Sequence, residues 1–431
     1  MPVPIICLAP ELVQFAGVFC SLFSKPQWKY FVTVLLGLME CTEGRTLSAL
    51  LRRVAGQKSL SGLSRFLSKA PWSVAELSQA WQQRFRQQLE PLVQAEQARQ
   101  RASRPLRPGR PKATSVTGFL CLDDSTHEKF RGQAMEGLGR HYSTTYQRPV
   151  PGHSLFSGVY VLLGRRCPLP PQLYCQRETC QAESIPFRSK VQMAVETIRH
   201  FEPVAGTRTH ILVDSWYMCQ AVRRAARERN FALSGGIRSN RKMRVPNSDG
   251  IIRYVTLSDY ARGLLPLHFE PVWWPSLAGD RPVWVHRVRT FVHKFGPCQV
   301  LVVRYDLHNP QEKPHFFVTT LLDTGTQEVV DILAIRWEVE VMFEEHKDLL
   351  GSDHYQLMTR QAIVRFWALV ACAYLYLDEQ RAQLAQTGEH VTLGQARQET
   401  QKTHLLSVLA WLQRQFQTGV TPHQVQAMLA A

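Results

Sequence analysis

Asp123 closes the apolar run V-T-G-F-L-C-L, Asp214 closes H-I-L-V, and Glu340 lies inside I-R-W-E-V-E-V-M-F-E-E-H-K-D-L-L-G. Two carboxylates at the ends of apolar strands, joined by a third on a later helix, are a ligand set for hard divalent cations. Two such ions side by side activate a nucleophile and stabilise the leaving oxygen of a phosphodiester. Alternation along a strand sends Asp123 and Asp124 to opposite faces, so only one of them can enter such a site. Each acid also has a plainer use. Asp124 suits an Asx-turn with Ser125 or Thr126, and Asp214 suits the N-cap of the helix that follows it.

The helix around Glu340 can be tested by its own periodicity. At about 100° per residue, with Arg336 at zero, Glu340 falls near 40° and Lys347 near 20°, whereas Glu338 and Glu345 fall near 200° and 180°. Arg336, Glu340 and Lys347 therefore share one stripe. The apolar Ile335, Val339, Met342, Phe343, Leu349 and Leu350 cluster beside it, so the charged stripe borders the buried face, where a carboxylate reaches a sheet edge. An ordinary i,i+4 ion pair between Arg336 and Glu340 fits the same spacing.

Around these residues the chain divides by pattern. Residues 1–100 read as helical, with apolar residues at three- and four-residue spacing in Thr46–Val54 and Trp72–Leu92. Within them, Gly44–Leu67 has the short helices, glycine turns and basic residues of a helix-turn-helix DNA reader, and equally of a helical bundle with a solvated basic face. Residues 101–115 form a basic, proline-rich linker, R-A-S-R-P-L-R-P-G-R-P-K, in which Arg107, Arg110 and Lys112 are candidate DNA contacts. Its Gly109-Arg110-Pro111 is similar to an AT-hook, and a basic arm tracking the backbone fits as well. Residues 116–237 then run β-β-β-α-β-α-β, the order of an α/β, RNase H-like catalytic core, with the second helix expected from Trp216 to about Asn230. Residues 238–325 return to strand-like runs, a β-rich insertion. Residues 326–380 complete the core with the Glu340 helix, and 381–431 read as a helical C-terminal region.

The formal charge of +16 and pI near 9.6 favour a polyanionic partner, since Lys and Arg that neutralise phosphates release condensed counterions. The ten cysteines are scattered without zinc-site spacing and read as reduced thiols. The most apolar segment, Ala362–Leu377, is interrupted by Arg365 and is short for a bilayer span, and no targeting segment is evident, so a cytoplasmic protein is expected.

The segment R-W-E-V-E-V-M-F-E-E-H-K-D-L-L-G-S-D-H-Y-Q resembles the Y-R-E-K signature of DDE transposases of bacterial insertion sequences. Arg336, Glu340 and Lys347 match its spacing residue for residue. L-D-D-S-T-H-E-K resembles the family's first-aspartate motif and favours Asp123 over Asp124, and V-D-S-W-Y resembles the second, at Asp214. One departure is Leu333, which stands where the signature has tyrosine. The resemblance implies that Asp123, Asp214 and Glu340 are the catalytic, metal-binding triad for two Mg²⁺ ions, with Mn²⁺ as a substitute, and that Arg336 and Lys347 hold DNA phosphates. It further implies double-stranded DNA as partner, both the terminal inverted repeats of an element and its target, a homodimer in a synaptic complex, and a nucleoid-associated location. Trp273, Trp274 and Trp284 in the insertion suit either core packing or holding a flipped base. Three rivals stand beside this reading: an RNase H-like nuclease without strand transfer, a non-catalytic DNA-binding descendant of a transposase, and a basic RNA-binding protein supported by charge alone.

Overall fold

The apolar run that ends at Asp123 becomes an interior strand of one large sheet. The computed structural model describes residues 9–42, 44–53, 59–103, 115–132, 134–143, 145–246, 250–279, 281–309 and 311–430. In it β1 (Val116–Glu128) continues past the apolar run and pairs antiparallel with β3 (Arg148–Leu162) on one side. On its other side it pairs parallel with β6 (Thr207–Val213), which in turn pairs parallel with β7 (Ala232–Gly236). This is the α/β, RNase H-like arrangement expected from the order of elements. Four short strands were not visible in the sequence. They are β2 (Gly139–Ser143) and β4 (Arg165–Pro168), which pair with β3, β8 (Lys242–Pro246) and β10 (Glu270–Trp273); the expected β5 (Gln172–Tyr174) also lies on β3.

The strands expected in the insertion extend the same sheet. After β9 (Ile252–Thr256), β10 (Glu270–Trp273), β11 (Pro282–Val292), β12 (Gly296–Arg304) and β13 (His315–Thr319), the path reads β2-β3-β1-β6-β7-β13-β12-β11-β8-β9. β13 pairs directly with β7, Phe317 opposite Gly236. The sheet closes tightly here: a Cβ on Gly235 would collide with the carbonyl oxygen of Val213, the residue before Asp214. Close backbone approach of this kind admits only glycine.

Helices cover the sheet. From the N-terminus come α1 (Pro10–Gly17), α2 (Lys25–Glu40), α3 (Leu47–Leu51), α4 (Leu60–Ser68) and α5 (Val74–Ala102). The turn of the helix-turn-helix candidate, residues 54–58, and Arg107, Arg110 and Lys112 of the linker lie outside the described residues. Between the core strands lie α6 (Arg177–Ala182), α7 (Lys190–His200) and α8 (Gln220–Glu228); α9 (Leu257–Arg262) and α10 (Pro275–Ala278) accompany the insertion strands. Last come α11 (Thr326–Ala334), α12 (Glu338–Asp348), α13 (Arg360–Leu384), α14 (Leu393–Gln417) and α15 (Pro422–Ala430).

One hydrophobic core runs from α1 through the sheet to α14, and α13 is its axis. Among the described residues α13 is the one helix long and apolar enough to cross a bilayer, yet 89% of its apolar window is buried inside the fold. Arg365, the charge that interrupts it, donates to the carbonyls of Leu67 (3.0 Å), Ala70 (2.7 Å) and Trp72, with its guanidinium 4.6 Å from the Trp72 ring centre. It thus satisfies the carbonyls released where α4 ends. Arg397 on α14 does the same for α2, donating to Met39 and Cys41 oxygens at 2.7 Å each. Arg45 links the helices to the end of α12, donating from Nε to Leu38 O (3.2 Å) and from Nη1 to Asp348 O (3.5 Å). None of the described cysteines forms a disulfide.

Candidate active site

Parallel register sets Leu122 of β1 level with Val213 of β6. The next residues, Asp123 and Asp214, therefore follow the last parallel pair side by side. β6 stops because Asp214 turns the chain: its Oδ1 accepts the N–H of Trp216 at 2.8 Å and of Tyr217 at 3.3 Å, an Asx-type turn. α8 starts only at Gln220, with Cys219 before it, so Asp214 is not its N-cap and the helix expected from Trp216 is shorter than its pattern suggested.

β1 does not turn after Asp123 but stays paired with β3 as far as Glu128. Asp124 therefore forms no Asx-turn. Its carboxylate meets Lys190, the Tyr217 hydroxyl at 2.7 Å and the Ser154 hydroxyl at 3.3 Å. Asp123, on the other pleat, keeps one local tie, the Asp124 N–H donating to its Oδ1 at 2.8 Å. The two acids thus have different surroundings, one fully engaged and one turned toward α12.

α11 passes into α12 through a single 3₁₀ turn, Ile335–Trp337, and Arg336 sits on that turn. Val339, Met342 and Phe343 of α12 are buried, which presents the expected charged stripe along β1. Arg336 Nη1 lies 2.5 Å from Glu340 Oε1 and 4.0 Å from Asp123 Oδ2. Lys347 Nζ donates to Thr126 O at 3.0 Å, farther along β1 than Asp123. The i,i+4 pair is present, and it is Arg336 rather than the Glu340 carboxylate that reaches Asp123. α12 stops at Gly351, whose φ of +64° suits glycine, and its N–H donates to Lys347 O at 2.9 Å.

Electrostatics mark the same place. Burial, followed by Asp214, Asp124 and Glu340, pushes the Asp123 carboxyl up to about 8, against the hydrogen bond from the Asp124 N–H. Burial also raises Asp214, opposed by the Trp216 and Tyr217 N–H groups and by Arg336. Glu340 Oε2 is out of solvent with no hydrogen-bond partner. Crowded carboxylates and an orphaned carboxylate oxygen fit a bound cation, because only added positive charge relieves both. In this structure the Arg336 guanidinium bridges Asp123 and Glu340, and among the described residues no three His, Cys, Asp or Glu side chains converge closely enough to hold one metal ion.

Several neighbours were not singled out in the sequence. Asp123, Asp214, Trp216, Arg238, Arg241 and Lys190 share a groove of about 890 Å³. The signal for Trp216 was its place in D-S-W-Y; the two arginines stand in R-S-N-R-K with no periodicity to mark them. Lys129, the lysine of the first motif, does not reach the carboxylates. It donates to Tyr355 O at 2.9 Å and to Asp353 O, and lies 3.7 Å from the Tyr355 ring centre, pinning β1 to the loop after α12. Leu333 is buried in a second small core with Trp274, Val285 and Leu301. Of the other insertion tryptophans, Trp284 is partly buried and Trp273 is exposed.

A family model described as DDE superfamily endonuclease matches residues 18–252, more than half of the chain, and one described as transposase DDE domain matches residues 188–376. No curated protein matches the chain. The first match spans Asp123 and Asp214, the second Asp214 and Glu340. Two family matches that overlap across β6, on an RNase H-like sheet with acids level on adjacent parallel strands, give one conclusion: the chain belongs to the DDE transposases, nuclease-type enzymes that act on DNA and use divalent metal ions.

Proposed function

We propose that the protein cuts DNA at the ends of its own insertion sequence and transfers the freed 3′ ends into target DNA, with Asp123, Asp214 and Glu340 holding two Mg²⁺ ions that Mn²⁺ can replace. The observation that carries the reading is the level position of Asp123 and Asp214 just past the parallel β1–β6 ladder, with Arg336, beside a helix packed along β1, touching both Asp123 and Glu340. When bound, the two ions supply activation of the attacking water or 3′-hydroxyl and stabilisation of the leaving 3′-oxygen. The protein's own groups do the rest. Backbone N–H groups fix one oxygen each of Asp123 and Asp214; the second oxygen of Asp123 faces Arg336, which must give way for it to serve as a ligand. Arg336 balances the carboxylates until phosphate arrives and then pairs with it through its planar fork, and Lys347 adds a point charge.

In this reading residues 1–100 bind the terminal repeats, with Arg107, Arg110 and Lys112 of the 101–115 linker on the phosphate backbone. Residues 116–237 and 326–380 form the catalytic core, residues 238–325 the insertion and residues 381–431 the C-terminal helical region. Two protomers act in a synaptic complex on the bacterial nucleoid. Incubating the protein with a labelled duplex that carries its element end, in Mg²⁺ or Mn²⁺, should give nicking at the element boundary and joining to a second duplex, both absent for Glu340→Gln. Nicking without joining would replace the transposase by a nuclease. Binding without cleavage would leave a DNA-binding descendant, and cleavage by Glu340→Gln would remove Glu340 from the site.

A further inference from the structure

We infer that Trp216, Arg238 and Arg241 form a nucleotide subsite beside Asp214, in which the base next to the scissile phosphodiester stacks on the Trp216 indole and its phosphate faces the two arginines. The inference rests on the reading that Asp214 stands at the scissile bond. Trp216 is 58% exposed, although an indole gains more than most side chains from burial. It is not a mobile surface residue by position. Its backbone N–H is held by Asp214, and the adjacent Tyr217 is fully buried with its hydroxyl on Asp124, so the turn fixes the backbone of Trp216 relative to both acids. The Arg238 guanidinium carbon lies 5.1 Å from the ring centre. One side of the indole is thus backed by a cation, as in base-stacking platforms of single-strand binders, where guanidinium and aromatic planes alternate with bases.

Arg241 supplies the second observation. It lines the same groove, and two of its guanidinium nitrogens, Nε and Nη2, are out of solvent with no acceptor among the described residues. Buried donors without partners are costly, and a bidentate anion is the ligand whose geometry answers a guanidinium. An exposed aromatic plane and an unsatisfied fork in one groove, next to acids suited to metal, together describe a base and a phosphate of one nucleotide.

The test uses the full-length protein without divalent metal and element-end duplexes carrying 2-aminopurine or an abasic nucleotide at each position flanking the cleavage point. One position should show a 2-aminopurine fluorescence change on binding, lost in Trp216→Ala and restored in Trp216→Phe. An abasic nucleotide there should weaken wild-type binding roughly ten- to a hundredfold, as loss of one stacked base does, and leave Trp216→Ala binding unchanged. Arg241→Gln should flatten the salt dependence of binding by about one ion released. If every position reads alike in wild type and Trp216→Ala, the subsite is refuted, even with normal cleavage in Mg²⁺. A Trp216-dependent position in a protein that never cleaves would keep the subsite and overturn the catalytic reading instead.

Discussion

Replacing a catalytic candidate with a neutral isostere should make the metal-free protein more stable. Asp123 is the case to work through. Its carboxyl is held up near 8 by burial and by Asp214, Asp124 and Glu340, far above the ordinary value of 3.8. Between those two values the folded state binds a proton that the unfolded chain has released, so stability falls as pH rises from about 4 toward 8 and is level above. At 1.36 kcal/mol per unit, a displacement of about four units gives a ceiling of roughly 5 kcal/mol. The side chain is 21% exposed. Solvent screening therefore brings the working figure down to about 2 kcal/mol at pH 9. Asparagine keeps the oxygen that accepts the Asp124 N–H and removes the charge. Urea unfolding in chelator at pH 5, 7 and 9 should show Asp123→Asn near parity with wild type at pH 5 and about 2 kcal/mol more stable at pH 9, with wild type catching up when Mg²⁺ is added. A variant equally destabilised at every pH, or a difference that does not grow with pH, would refute the electrostatic argument and make Asp123 an ordinary packing residue.

Three further outcomes follow from the same contacts. Removing the guanidinium charge 4.0 Å from Asp123 takes away an interaction of about 1 to 4 kcal/mol for effective dielectrics of about 80 to 20, so Arg336→Gln should bind Mn²⁺ roughly tenfold tighter without DNA while cleaving more slowly. Calorimetry showing unchanged or weaker Mn²⁺ binding would mean that Arg336 does not compete for the site. Arg365→Met strands the carbonyls of Leu67 and Trp72 and leaves Ala70 O with only the Trp72 N–H; stability should drop by about 3 kcal/mol, and a loss under about 1 kcal/mol would deny it the capping role. Tyr217→Phe leaves Asp124 without its 2.7 Å donor and should cost about 1 to 3 kcal/mol in denaturation with Mn²⁺ affinity unchanged, whereas weakened Mn²⁺ binding would make Asp124 part of the metal site.

What could be read from the sequence depended on whether pattern or pairing defines an element. The α12 stripe was legible because helix geometry alone fixes angular position, and Arg336, Glu340 and Lys347 all face β1 as computed from spacing. β1 and β6 were legible because strands buried on both faces write continuous apolar runs. β2, β4, β8 and β10 were not, since runs of four or five residues of mixed polarity are too short to establish a period; each is held by hydrogen bonds to the strand beside it in sequence. The start of α8 was misplaced because Trp216 and Tyr217 continue an apolar rhythm while the Asp214 carboxylate takes their N–H groups out of the helix. Asp124 looked like turn material until Lys190, from 66 residues away, appeared beside it.

The net charge needs a similar correction in meaning. A formal +16 suggests a surface made for phosphate, yet Arg45, Arg365 and Arg397 donate to backbone carbonyls inside the helical layer. Arg165 is paired with the fully buried Asp378, and Arg84 grips Glu379 through two contacts of 2.8 Å. These cations cannot release counterions on DNA, because they hold helices to one another and to the sheet. Lys190 is likewise held by Asp124, so the share of charge that can do so near the acids is local: Arg140, Arg238 and Arg241 in the groove and Arg336 between Asp123 and Glu340. Binding at the catalytic centre should therefore lose far less affinity with added salt than the total charge implies. The steeper salt dependence belongs to whichever part of the chain grips the duplex at a distance.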